Sequence, residues 1–265
     1  MNKRDNIAVV ISNANAITPY ETIDTVIESG FKNIFIQWYN RNWEISQEEQ
    51  LDYIKRKNLN IIFAHLGYDH INDFWSEDEE IGMNLVEGYK KDFDICHKNN
   101  INLVIMHTQA KLDAPKYNEY GLKRFQELAD YAQSLGLRIA IENTKLPGYL
   151  DYLIDNIKNE NFGICFDVGH YHVHFKDQFD FDKFKNRIFA VHLHDNDQSD
   201  DQHLLPFDGT LDWQAALKHL KECNYNGPIT LEICYRKPYL EITPKEFFDK
   251  GLKLGEKLYD MWETL

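Results

Sequence analysis

A single (β/α)₈ barrel, an α/β fold filling residues 1–265 as one domain, is what this sequence predicts, and three observations predict it. Short apolar runs alternate with helical patterns through eight strand–helix units. Six of the eight runs stop at a side chain able to bind a metal: His65, His107, Glu142, Asp167, His192 and Glu232. No long low-complexity linker interrupts the units. Strict alternation implies parallel strands, and eight units in this length suit a closed barrel with an outer ring of helices. A doubly wound open sheet is the alternative. The absence of GxGxxG after the first run weakens its dinucleotide-binding form.

The elements follow in order. Ile7 to Ser12 is the first strand, and Thr18-Pro19 opens a helix that ends near Gly30. Asn33 to Gln37 is the second strand; Ser46 with Glu49 forms a capping box for a helix to about Lys57. Ile61 to Ala64 runs into His65, and a polar loop, HLGYDHINDFWSEDEE, leads to a helix over 79–99. Ile101 to Met106 runs into His107, and residues 117–135 are helical, closed by Gly136. Leu137 to Ile141 runs into Glu142, before a helix near 149–158. Phe162 to Phe166 runs into Asp167, and a short helix is expected near 180–186. Ile188 to Val191 runs into His192, followed by a helix over 213–223. Ile229 to Leu231 runs into Glu232, and Thr243-Pro244 opens the last helix.

Bulk properties narrow the functions. The formal charge of −14 repels polyanions at long range, which disfavours a broad nucleic-acid groove. Cys96, Cys165, Cys223 and Cys234 form no CxxC pair, and Cys165 and Cys234 read as small core residues. MNKRDN leads directly into IAVVIS, too short for a signal h-region or a membrane span. The expectation is a reduced, soluble, cytoplasmic protein with no membrane partner. The oligomeric state stays open, a homo-oligomer included.

In a closed barrel the six strand ends ring one mouth, where barrel active sites lie. Buried unpaired, such side chains would cost several kcal/mol, whereas together they suit a divalent cation. Loop candidates add to them: His170, three residues past Asp167, and Asp201 and His203 in DDQHLLPFDG. His172 and His174 read as rim residues, and His194 as a packing residue placed opposite His192. Arg41, Tyr68, Arg236 and Lys237 follow strand ends and could touch a substrate.

The stretches IENT, CFDVGH, VHLHDN, DQHLLPFDGTLDW and ITLEIC resemble the xylose isomerase-like TIM-barrel superfamily. That group holds sugar and sugar-phosphate isomerases and epimerases together with the endonuclease IV type of AP endonuclease. In the ketose 3-epimerase branch one divalent metal is held at positions matching Glu142, Asp167, His192 and Glu232; the two glutamates also move protons, and the match of His170 contacts substrate. In the endonuclease IV branch a trinuclear zinc site adds the matches of His65, His107, His170, Asp201 and His203. The chain departs from that branch after IENT, where it reads KLPGYLDY in place of a Gly-rich AGQG-like stretch, and in its histidine-rich segment after DVGH. NRNW at 40–43 and Tyr68 resemble DNA-contacting loops over a few residues only.

The resemblance implies two chemistries. An isomerase or epimerase needs one dication, Mn or Zn, whose three carboxylate ligands leave the site formally −1, a charge that tolerates a neutral sugar and does not especially attract phosphate. Glu142 and Glu232 then exchange a proton next to the carbonyl through an enediolate. A phosphodiester hydrolase would hold up to three zinc ions, whose surplus positive charge attracts phosphate and yields a hydroxide. A metal- or sugar-binding barrel without catalysis is a third reading. The acidic surface and the wording around DQHLLP favour the isomerase or epimerase, acting on a sugar or sugar phosphate.

Overall fold

The structure is a computed structural model, and it describes residues 3–38, 46–175 and 178–265. Arg41 and the NRNW stretch lie outside the described residues. Eight parallel strands, β1 (Ile7–Ile11), β2 (Asn33–Gln37), β3 (Asn60–His65), β4 (Leu103–His107), β5 (Arg138–Glu142), β6 (Phe162–Asp167), β7 (Ile188–His192) and β8 (Ile229–Leu231), pair in the order β7-β6-β5-β4-β3-β2-β1-β8. The last seam closes just past β7. Leu193 N donates to Thr230 O at 2.9 Å, and Glu232 N donates to Leu193 O at 3.1 Å. The predicted barrel is therefore the fold observed.

Helices α1 (Pro19–Glu28), α2 (Gln47–Arg56), α3 (Glu79–Lys98), α4 (Glu119–Ser134), α5 (Tyr149–Asn156), α6 (Val168–His170), α7 (Trp213–Glu222) and α8 (Pro244–Thr264) follow the strands. Thr18 with Glu21, Ser46 with Glu49 and Thr243 with Glu246 are full capping boxes, so three helix starts are fixed locally. The helix expected over 180–186 is absent. Residues 181–187 are turns, while the helical structure on this connection comes earlier, in α6 and a wider turn over Tyr171–Phe175. Packing explains the difference. Phe179 meets Phe166, Phe181 and Phe184 at ring-centroid distances of 4.8, 4.7 and 4.9 Å. Those rings, and Asp180 Oδ1 accepting from Lys183 N at 3.0 Å, fix compact turns in place of a helix.

Inside the barrel one apolar layer comes from seven strands: Val10, Phe35, Phe63, Ile105, Ala140, Cys165 and Ala190. Side chains two apart on a strand share a face. Two residues further along stand Ser12, Gln37, His65, His107, Glu142, Asp167 and His192. The polar layer at the C-terminal mouth is thus the next step of the same period above an apolar floor.

One lip of that mouth, residues 71–79, is held from α4 by Arg124, which is 1% exposed. Its Nη1 donates to Phe74 O at 2.8 Å and Ser76 O at 2.6 Å; its Nη2 donates to Asp78 O and Glu79 Oε2, both at 3.1 Å. Arg124→Met keeps the volume and strands these acceptors. The expected loss is roughly 3–5 kcal/mol of stability, read by urea denaturation. A loss under about 1 kcal/mol would mean that solvent takes over the lip's carbonyls.

Candidate functional site

The register puts His107 beside Glu142 and Asp167 beside His192. Glu142 lies at the centre, 1% exposed. Its Oε2 is 3.0 Å from His65 Nε2, 3.3 Å from His107 Nε2 and 3.7 Å from His192 Nδ1, and its Oε1 is 2.9 Å from His170 Nδ1. Glu232 faces the same imidazole from the other side, with Oε2 at 3.2 Å from His192 Nδ1. Asp167 Oδ2 is 3.7 Å from His192 Nδ1. The β7–α7 connection folds back over the mouth. It brings Asp201 Oδ2 to 3.0 Å from His203 Nε2 and 3.3 Å from His170 Nε2.

All nine candidate ligands named from the sequence converge at this mouth. Tyr68 joins them at the cavity wall, its ring stacked on His107 at 4.1 Å. Arg236 takes another part: Nη2 donates to Asp201 O at 3.3 Å and Gln202 O at 3.1 Å, so the guanidinium holds the returning loop and is absent from the cavity lining. His172 Nε2 pairs with Thr210 Oγ1 at 3.0 Å.

His194 corrects the sequence reading. It is fully buried, and its Nε2 lies 3.2 Å from Asp167 Oδ1 and 3.6 Å from Asp201 Oδ1. Its ring stacks on His203 at 4.2 Å. The reason is the two-residue period itself, which puts His194 on the face of His192. Gly169 makes room for the ring; a Cβ there would come within 1.9 Å of His194 Cε1.

Three residues outside the candidate ligand set support the cluster. Gln37 Nε2 donates to Glu232 Oε1 in a short bond. Asn143 brackets the Asp167 backbone, donating to Asp167 O at 2.8 Å and accepting from Asp167 N at 2.7 Å. Asp195 collects Phe207 N, Leu211 N and the Trp213 indole and so shapes the returning loop. Gln37, last residue of an apolar run, carried the same signal as the strand-end histidines, but an amide is not a ligand type.

The donor chemistry fits a divalent cation. His65 Nδ1 faces Leu66 O at 3.0 Å and His203 Nδ1 faces Glu232 O at 2.9 Å. A carbonyl only accepts, so each Nδ1 carries the hydrogen. Each Nε2 then aims at a carboxylate, Glu142 or Asp201, where it needs either a second proton or a cation between. Both nitrogens of His192 are buried without an aligned hydrogen bond. Donor atoms lie within 4.8 Å of one another in the sets His65–His107–Glu142, Glu142–Asp167–His192 and His194–Asp201–His203. Carboxylates with imidazoles suit Zn or Mn.

The two glutamates differ electrostatically. Burial raises both, but the histidines around Glu142 outweigh it and hold that carboxyl well below its usual range. For Glu232 burial prevails, helped by Asp167 and Glu142 against His192 and His203, and its pKa is pushed up to about 8. Burial drives His107 down to about 4. His170 is raised despite burial by Asp167 and Asp201.

A cation competes with those protons, so its binding should release protons near pH 7, and apparent affinity should climb as pH rises toward 8. Calorimetry of zinc binding to stripped protein, in buffers of different ionisation enthalpy, reads the proton count. Zinc binding without proton release would remove Glu232 from the ligand set. Among the described residues no helix is long and apolar enough to cross a membrane.

Comparisons with known proteins bear on the fold and the family. An inosose isomerase of Halalkalibacterium halodurans is 21% identical over 258 residues, 91% of this chain and 90% of that protein. An uncharacterized protein of Sinorhizobium fredii is 29% identical over 117 residues, 42% of this chain; the match spans only 38% of that relative's length. Two solved structures share the fold: a D-tagatose 3-epimerase-like protein (TM-score 0.75, 20% identity, 98% of this chain and 97% of that chain) and the IolI protein with a bound zinc atom (TM-score 0.77, 17% identity, 98% and 100%). The xylose isomerase-like TIM barrel family model matches residues 23–258, and the chain belongs to that family.

Proposed function

We propose that this protein is a divalent-metal-dependent isomerase or epimerase of a small sugar, acting by proton transfer next to a carbonyl. One observation carries the reading: Glu142 and Glu232 flank one point from two strands, with His192 Nδ1 3.7 Å from the first and 3.2 Å from the second. Such a pair can remove a proton from one side of a carbon and return one from the other. A cation held by Glu142, Asp167, His192 and Glu232 would polarise the substrate carbonyl and its neighbouring hydroxyl. Glu142 and Glu232 form the acid–base pair, one removing the proton next to the carbonyl and the other returning one. His170 and Tyr68 border the cavity and orient the hydroxyls. The inosose isomerase and epimerase relatives support the same class.

The test is deuterium exchange from solvent into candidate ketoses and inososes. Exchange confined to the carbon next to the carbonyl is expected, and its absence from every sugar tried would defeat the reading. A second reading, phosphodiester hydrolysis at a multinuclear zinc site, is favoured by the extra donors His65, His107, His170, His194, Asp201 and His203 at the same mouth. Cleavage of an abasic-site oligonucleotide tests it.

A further inference from the structure

His194 is fixed by the backbone on both sides. Leu193 closes the barrel, its N donating to Thr230 O at 2.9 Å. Asp195 exchanges two bonds of 2.9 Å with Leu204 of the returning loop. Between them the imidazole is fully buried, stacked on His203 at a centroid distance of 4.2 Å with the planes 21° apart. Gly169, whose missing Cβ leaves space for the ring, is itself held by Asn196 Nδ2 donating to Gly169 O at 3.1 Å. Packing alone would favour an apolar side chain here, because burying an imidazole costs free energy unless its nitrogens are used.

One nitrogen is used. Nε2 lies 3.2 Å from Asp167 Oδ1, 3.3 Å from Asp167 Oδ2 and 3.6 Å from Asp201 Oδ1. A carboxylate only accepts, so an Nε2 that donates to Asp167 carries the hydrogen. The separation from Asp201 is too long for a hydrogen bond. Asp167 needs such a donor. Its Oδ1 accepts from His170 N at 2.6 Å, while Asn143 holds only its backbone groups. A single bond leaves a carboxylate free to swing about Cβ–Cγ, and a second bond at Oδ2 fixes its plane. Oδ2 is also the oxygen 3.7 Å from His192 Nδ1, on the side where Glu142 and Glu232 converge. His194 therefore bears on the Asp167 oxygen that an inner cation would meet.

We propose that His194 is a positioning residue of the metal centre: its Nε2–H fixes the Asp167 carboxylate for the cation held with Glu142, His192 and Glu232, and it is not itself a ligand. The proposal rests on the metal-dependent reading of this site. The competing role is direct ligation of an outer cation, since His194, Asp201 and His203 also bring donor atoms within 4.8 Å of one another. Glutamine separates the two roles. Its amide N–H can donate to a carboxylate as Nε2–H does, whereas zinc takes thiolate, imidazole and carboxylate ligands.

The experiment measures zinc affinity of the stripped full-length protein, by competition with a chromophoric chelator, for wild type and for His194→Phe, His194→Leu and His194→Gln. Phe keeps a ring against His203 and Leu is smaller, so overpacking cannot account for a loss shared by both; circular dichroism checks each fold. Phe and Leu should bind zinc about 10–100-fold more weakly, the usual cost of removing a group that orients a metal ligand. Gln should restore most of the affinity, which a role in packing alone would not predict. Unchanged affinity in Phe or Leu, or a loss in Gln as large as in Phe, would overturn the proposal. So would the disappearance of one whole zinc equivalent with the tightest site untouched, which would make His194 a ligand. Wild type that binds no zinc defeats the metal centre and the proposal together. Deuterium exchange separates the remaining claims. Affinity that follows the donor series, with no exchange into any sugar, keeps the role of His194 and defeats the isomerase. Exchange next to the carbonyl, with affinity indifferent to His194, keeps the isomerase and defeats the role of His194.

Discussion

Glu142→Gln and Glu232→Gln should each lower turnover by about 10²–10⁴-fold with the barrel intact, because each removes a proton-transfer group and keeps its shape. The two losses should differ in kind. Glu142 touches His65, His107 and His170 within 3.3 Å, so an amide there also disturbs the donors around it and should reduce metal content. Glu232 contacts His192 and is held by the Gln37 amide. Glu232→Gln should therefore keep its cation, on Glu142, Asp167 and His192, and lose turnover. Elemental analysis beside the exchange rate separates the two effects, and circular dichroism checks the fold. Near wild-type exchange in either variant would show that the paired glutamates do not move the proton.

The barrel was legible in the sequence because its signals are local. Capping boxes at Thr18, Ser46 and Thr243 mark helix starts, and apolar runs stopping at His65, His107, Glu142, Asp167 and His192 mark strand ends. In a closed barrel those ends must meet, so the centre of the site follows from topology. What stayed hidden depends on the chain's return path. Asp201 and His203 could be named as candidates, but their approach requires the bridge of Asp195 to Leu204 and a left-handed His203 at φ 50°. His194 was misplaced although its two-residue spacing from His192 held the answer. Arg236 looked like a substrate contact because it follows a strand, yet backbone carbonyls of a distant loop claim it. The missing helix at 180–186 is a case of aromatic packing overriding local pattern.

Asp201→Ala combined with His203→Ala should leave a cation bound and sugar exchange reduced only modestly. The four-donor set Glu142, Asp167, His192 and Glu232 does not include either residue. The pair nonetheless reaches deep: Asp201 lies 3.3 Å from His170 Nε2 and 3.6 Å from His194 Nε2, so its removal frees two imidazoles and loosens the mouth. For a trinuclear hydrolase the same substitution must cost a metal, since His194, Asp201 and His203 form one of the donor sets, and with that metal goes the positive surplus that attracts phosphate and yields hydroxide. Metal per chain by elemental analysis, before and after the substitution, distinguishes the two. One cation in both proteins, with exchange next to the carbonyl, retires the nuclease. Three cations falling to two, with metal-dependent cleavage of an abasic-site oligonucleotide and no exchange into any sugar, overturns the isomerase, because an enzyme that needs only the inner four donors has no reason to lose its chemistry when the outer pair is removed.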